Sequence, residues 1–234
     1  MNLLLLSSSR AHNSAYLAPG LAAIKETLGS ITTVLFIPFA GVRVNYDDYL
    51  TMVQNALHPL GIVVQSIHQF EDPKQAVANA QAVMVGGGNT FALLAKLYQF
   101  DLINSLQQKI ANGMPYIGWS AGSNIAGLSI RTTNDMPIIE PPSFQALALL
   151  PVQLNPHYTD FVPEGFHGET RDMRLAEFMH VEPNTPIIGL PEGTALRFVD
   201  GKLSYVGGEN AYLFCAGVKT PIAPSADLSN LLNA

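Results

Sequence analysis

Through the first half of the chain, short apolar runs alternate with longer stretches in which apolar positions return every three or four residues. Leu3–Ser7, Thr33–Ile37, Ile62–Ile67, Ala82–Val85 and Tyr116–Gly118 read as strands. Helical spacing fills residues 15–28, 46–58, 73–80 and 90–112, the last divided into two helices near Phe100-Asp101. The run from Val34 to Gly41 is apolar throughout rather than alternating, the pattern of a strand covered on both faces. Strand–helix alternation of this kind predicts an α/β fold with a mostly parallel central sheet and helices on both faces.

After Ser120 the pattern changes. Residues 129–142 carry prolines and polar residues and read as extended and looped, and a helix returns at about 170–180. Pro186–Leu190, Ala195–Val199, Lys202–Val206 and Ala211–Phe214 suggest further strands, with Asp200-Gly201 a hairpin signal between two of them. No repeat, low-complexity tract or linker interrupts the 234 residues, so one domain over 1–234 is expected.

Composition narrows the function classes. Hydrophobic residues make up 48% and charged residues 13%, half the usual ~25% share, which points to a large buried core. Lys and Arg number 12 against 18 acids and never form a run, which argues against nucleic-acid partners. The apolar start, Leu3–Leu6, is too short for a signal-peptide core or a membrane span, so a cytoplasmic protein without a membrane partner is expected. The lone cysteine, Cys215, excludes an internal disulfide and reads as a buried thiol.

Two glycine-rich turns carry the candidate chemistry. Gly118-Trp119-Ser120-Ala121-Gly122 follows a strand and precedes small residues, the context of a nucleophile elbow. A helix starting there offers free N–H groups to a developing oxyanion, although a helix-start serine flanked by packing glycines has the same pattern. Gly86-Gly87-Gly88-Asn89 also follows a strand. It lacks both Gly-x-Gly-x-x-Gly and a Walker lysine, which weakens a phosphate-cradle reading. It reads either as a plain strand-to-helix turn or as the source of a second oxyanion donor, the N–H of Gly88 beside that of Ala121. Of the histidines at 12, 58, 68, 157, 167 and 180, His157 leads as a base, because Asn155-Pro156 fixes the backbone where an apolar run meets a loop. Asp135 and Glu192 both lie in loops beside proline or glycine, and spacing alone does not choose which orients the histidine. Arg171, in an arginine-poor chain, is a candidate for an anionic substrate group.

Taken together, Phe36–Val42, Val85–Phe91, Tyr116–Gly122, Ile130–Pro137, Asn155–His157 and Ile187–Gly193 resemble the peptidase E family of α-aspartyl dipeptidases, in family order and over nearly the whole chain. Departures are Ser123, where the family often has alanine, and a divergent C-terminal tail. The resemblance implies a sheet like that of class I glutamine amidotransferases and hydrolysis of Asp-X dipeptides without metal or cofactor. It implies Ser120 as nucleophile, His157 as base, Glu192 rather than Asp135 as third member, Gly88 and Ala121 as oxyanion donors, and Arg171 on the substrate's aspartate. A cyanophycinase-like or other serine hydrolase is the nearer alternative, and a small-molecule binding domain the more distant one. A monomer and a homodimer are both compatible with these features.

Overall fold

The computed structural model describes residues 1–233. Among these residues there are eleven strands: β1 (Asn2–Leu6), β2 (Thr33–Ile37), β3 (Val63–Ser66), β4 (Val83–Val85), β5 (Tyr116–Trp119), β6 (Gln153–Pro156), β7 (Ile187–Leu190), β8 (Ala195–Val199), β9 (Lys202–Val206), β10 (Ala211–Cys215) and β11 (Val218–Ile222). The helices are α1 (Leu21–Leu28), α2 (Tyr46–Leu57), α3 (Pro73–Asn79), α4 (Thr90–Gln99), α5 (Ile103–Ala111), α6 (Ala121–Asn124) and α7 (Arg171–Val181).

Seven strands form the central sheet in the order β3-β2-β4-β5-β1-β8-β9. The first five run parallel, and the β8–β9 hairpin adds an antiparallel edge beside β1. Strand β1 shows why this chain makes such a sheet. Its leucines alternate between faces: Leu3 and Leu5 join the core formed with α3, α4 and α5, whereas Leu4 and Leu6 join the core formed with α1 and α2. All four are buried, each contributing roughly 1.5–3 kcal/mol relative to exposure. Because β2, β4, β5 and β1 are parallel, their C-terminal ends share one edge, where open α/β sheets assemble their sites.

The remaining strands form a second, four-stranded sheet, β11-β10-β7-β6, which the hydrophobic pattern does not announce. Strands β6 and β7 are parallel in it and β10 and β11 antiparallel. Helix α7 covers it through Leu175, Phe178 and Met179, packed with Tyr158, Ile187 and Phe214.

Two local expectations are corrected. The helix expected over 15–28 starts only at Leu21, preceded by a 3-10 turn at Ala18–Gly20, because Pro19 and a left-handed Leu17 interrupt it. Cys215 is partly exposed at the end of β10 rather than buried. Among the described residues no helix is long and apolar enough to cross a membrane.

Candidate active site

Ser120 sits between β5 and α6 at φ 53, ψ −115, backbone space that a serine occupies only under strain of about 1–3 kcal/mol. The flanking glycines make the turn sterically possible. A Cβ on Gly118 would run into the carbonyl of Gly122, and one on Gly122 into the carbonyl of Val85. The Leu6 carbonyl, at the end of β1, accepts from Ser120 N–H (3.1 Å) and from the buried Ser123 hydroxyl (2.6 Å). Ser123 therefore adds a tie that an alanine lacks. Helix α6 is a single turn, so whatever it offers an oxyanion comes from its local N–H groups and not from a summed dipole.

His157 follows β6 with φ 55, and Glu192 follows β7 in the turn Pro191-Glu192-Gly193. His157 Nε2 lies 2.9 Å from Ser120 Oγ, and its Nδ1 lies 2.7 Å from Glu192 Oε1. The imidazole side chain is 39% and the carboxylate side chain 57% exposed, so their hydrogen bond is partly open to solvent and acts chiefly by fixing ring orientation. Two serines that sequence reasoning passed over hold this arrangement. Ser7 Oγ accepts from His157 N–H (2.9 Å) and donates to the Leu190 carbonyl (2.8 Å). Ser8 Oγ accepts from Gly193 N–H (3.1 Å), beside Glu192. The available signal was a serine run, Ser7-Ser8-Ser9, placed where the central strand ends.

On the other side of Ser120 the glycine loop approaches closely. A Cβ on Gly87 would come within 2.9 Å of Ser120 Cβ, and Gly88 has φ +136 with the Ala40 carbonyl where a side chain would go. Among the described residues the N–H groups of Gly88 and Ala121 have no protein acceptor, which leaves both able to donate to an oxygen beside Ser120.

Asp135 does not touch His157. Its Oδ2 accepts from Thr90 N–H (2.7 Å) and from the Thr90 hydroxyl, at the start of α4. It nevertheless lines the same polar chamber of about 470 Å³ as Ser120, Ala121, His157, Arg171 and Glu192. The guanidinium of Arg171, the first residue of α7, has no hydrogen-bond or ion-pair partner among the described residues. Burial and, secondarily, the nearby charge of Arg174 destabilise its protonated form, while Asp135 opposes them. A second, more apolar chamber of about 750 Å³ meets the first at Ser120 and His157.

The other histidines lie apart. His68 pairs with Asp47 (3.0 Å) and Ser66, and His12, His58, His167 and His180 are exposed. Among the described residues no group of three or more His, Cys, Asp or Glu is arranged to hold a metal ion.

Comparison with known proteins adds to this geometry. Residues 3–206 match the family model described as peptidase family S51. The chain is 52% identical to a protein named peptidase E from Shewanella baltica, over 99% of this chain and 98% of that one. It is 53% identical to one of the same name from Shewanella amazonensis, with 98% of each covered. The crystal structure of a peptidase from an acI-B1 Actinobacterium superposes with a TM-score of 0.69 at 16% identity, covering 97% of this chain and 96% of that one, a likeness of fold.

Proposed function

The chain belongs to peptidase family S51, and from that premise we propose that it is a serine peptidase hydrolysing dipeptides with N-terminal aspartate, with Ser120, His157 and Glu192 as its triad. The observation that carries this reading is the unbroken row Glu192–His157–Ser120, beside a polar chamber that holds an unpaired Arg171.

His157 Nε2 takes the proton of Ser120 as Oγ attacks the carbonyl carbon of the aspartyl residue. The carbonyl oxygen becomes an oxyanion facing the N–H groups of Gly88 and Ala121. His157 then gives its proton to the leaving amine, and water, activated by the same ring, hydrolyses the aspartyl ester. Glu192 holds the tautomer that leaves Nε2 free to accept, and balances the imidazolium. Arg171 pairs with the substrate's side-chain carboxylate. The same reading takes residues 1–234 as one domain acting in the cytoplasm on small peptides, as a monomer or homodimer.

The test is a panel of Asp-Leu, Leu-Leu, β-Asp-Leu and a p-nitrophenyl ester, assayed with EDTA present. Selective hydrolysis of Asp-Leu is expected, reduced by four or more orders of magnitude in a folded Ser120→Ala protein. Preference for β-Asp-Leu or for the ester would instead favour a cyanophycinase-like enzyme or an esterase.

A further inference from the structure

The two chambers that meet at Ser120 differ in chemistry, and a dipeptide has two halves that diverge from one carbonyl carbon. If the proposed function holds, the aspartyl half lies with Arg171 in the polar chamber, and the leaving half enters the other. That chamber is walled by Tyr16, Val44, Tyr49, Met52, Trp119 and Ile138, and no acidic residue lines it. Its one charged lining residue is Arg43.

The state of the arginines sharpens the point. Of six in the chain, Arg131 pairs with Glu182, Arg174 with Glu169, and Arg197 with backbone carbonyls; Arg10 lies over the Tyr16 ring at 5.8 Å without lining the apolar chamber, and Arg171 faces the polar one. Arg43 has no acid or other acceptor among the described residues, although acids lie close by in sequence at Asp47 and Asp48. Those two are engaged elsewhere: Asp47 with His68, and Asp48 with the side chain of Asn45. An exposed guanidinium left unpaired beside an apolar chamber, in a chain of net charge −6, matches a ligand with an apolar body and a terminal carboxylate.

We propose that the apolar chamber binds the side chain of the dipeptide's second residue, and that Arg43 binds that residue's C-terminal carboxylate. The site then selects an apolar amino acid such as leucine as the leaving group. The same contact gives the restriction to dipeptides, already part of the proposed function, a physical basis, because a longer peptide presents a neutral amide where Arg43 requires a carboxylate.

This inference rests on the proposed function for which half of the substrate goes where, but it can be tested without turnover. Trp119 is the chain's single tryptophan and lines the chamber, so its fluorescence, together with calorimetry, reports occupancy. In Ser120→Ala protein, leucine is expected to bind at least about tenfold more tightly than glycine or leucinamide. Arg43→Met, a change on an exposed loop, should weaken leucine about tenfold and leave leucinamide within twofold, with Arg43→Lys between. Equal binding of leucine and glycine, or an equal effect of Arg43→Met on leucine and leucinamide, overturns the assignment. The activity panel decides the other question: wild-type protein that binds leucine in this way yet cleaves no Asp-X dipeptide sinks the proposed function and leaves the chamber standing.

Discussion

At the scale of single residues, Ser120 is held in a conformation that costs stability, and the proposed chemistry explains why it persists. Its φ of 53 with ψ of −115 suits glycine, which reaches that region without a Cβ clash. Ser120→Gly is therefore expected to raise stability over Ser120→Ala by about 1 kcal/mol, with hydrolysis lost in both. Thermal unfolding of the two proteins checks this, and a less stable glycine variant would remove the strain from the account. The choice between Glu192 and Asp135 belongs to the same scale. Glu192 lies 2.7 Å from Nδ1, whereas Asp135 is engaged by Thr90. Glu192→Gln should lower kcat by roughly 100-fold, less than removal of the orienting charge at a buried triad, because this carboxylate is more than half exposed. Asp135→Asn should act mainly on KM and on stability, through the chamber wall and the start of α4. Matched kinetics in which Asp135→Asn shows the larger kcat loss would reverse the two roles.

At the scale of elements, the site is assembled at the ends of strands from two sheets, and Ser7 joins them. Its hydroxyl ties the end of β1 to the backbone of His157 after β6 and to the last carbonyl of β7. Ser7→Ala strands the partly buried His157 N–H, while the Leu190 carbonyl keeps the Tyr158 N–H (2.9 Å), at a cost of about 1–3 kcal/mol. It should also lower kcat by about tenfold, because the ring then loses its backbone anchor. A variant with unchanged unfolding and unchanged kcat would show that the anchor is dispensable. Little of this was legible beforehand. Strands β1 to β5 were readable because runs such as Val34–Ile37 are apolar on both faces, and the elbow was readable because Gly118 and Gly122 are required by local sterics. The division into two sheets was not, because β7 to β10 share the same short apolar signature whichever neighbour they pair with. Strand β11 was hidden by Pro221 and by having a single buried residue, Ile222, in an edge strand with little hydrophobic signal. The pairing of Glu192 with His157 had no local signature either. It depends on β6 and β7 being adjacent and in register, Pro156 opposite Leu190.

At the scale of the whole molecule, the central sheet contributes Ser120 and the glycine loop, and the smaller sheet contributes His157, Glu192 and, through the helix packed on it, Arg171. The geometry of the site therefore depends on how firmly the smaller sheet holds its own parts. Lys219, on β11, is the centre of that hold. Its ammonium lies 3.0 Å from Asp172 and 3.4 Å from Asp160, and 4.2 Å from the Tyr212 ring centroid. Asp172 also accepts from the Tyr158 hydroxyl, so the knot joins the residue after His157 to the residue after Arg171. Burial and the adjoining Asp172 raise the Tyr158 pKa, which keeps that hydroxyl a donor at neutral pH. Lys219→Met removes the cation between Asp160 and Asp172 and loosens the first turn of α7, which keeps the Tyr158 hydroxyl on Asp172 and the Thr170 cap. His157 keeps its ties to Ser7, Ser120 and Glu192. Because the knot is partly exposed and screened, the effect should be moderate. KM for Asp-Leu is expected to rise about three- to tenfold with kcat within twofold of the parent, measured in low-salt buffer. A fall in kcat at constant KM would mean instead that the knot acts through His157 and that Arg171 is positioned by other contacts.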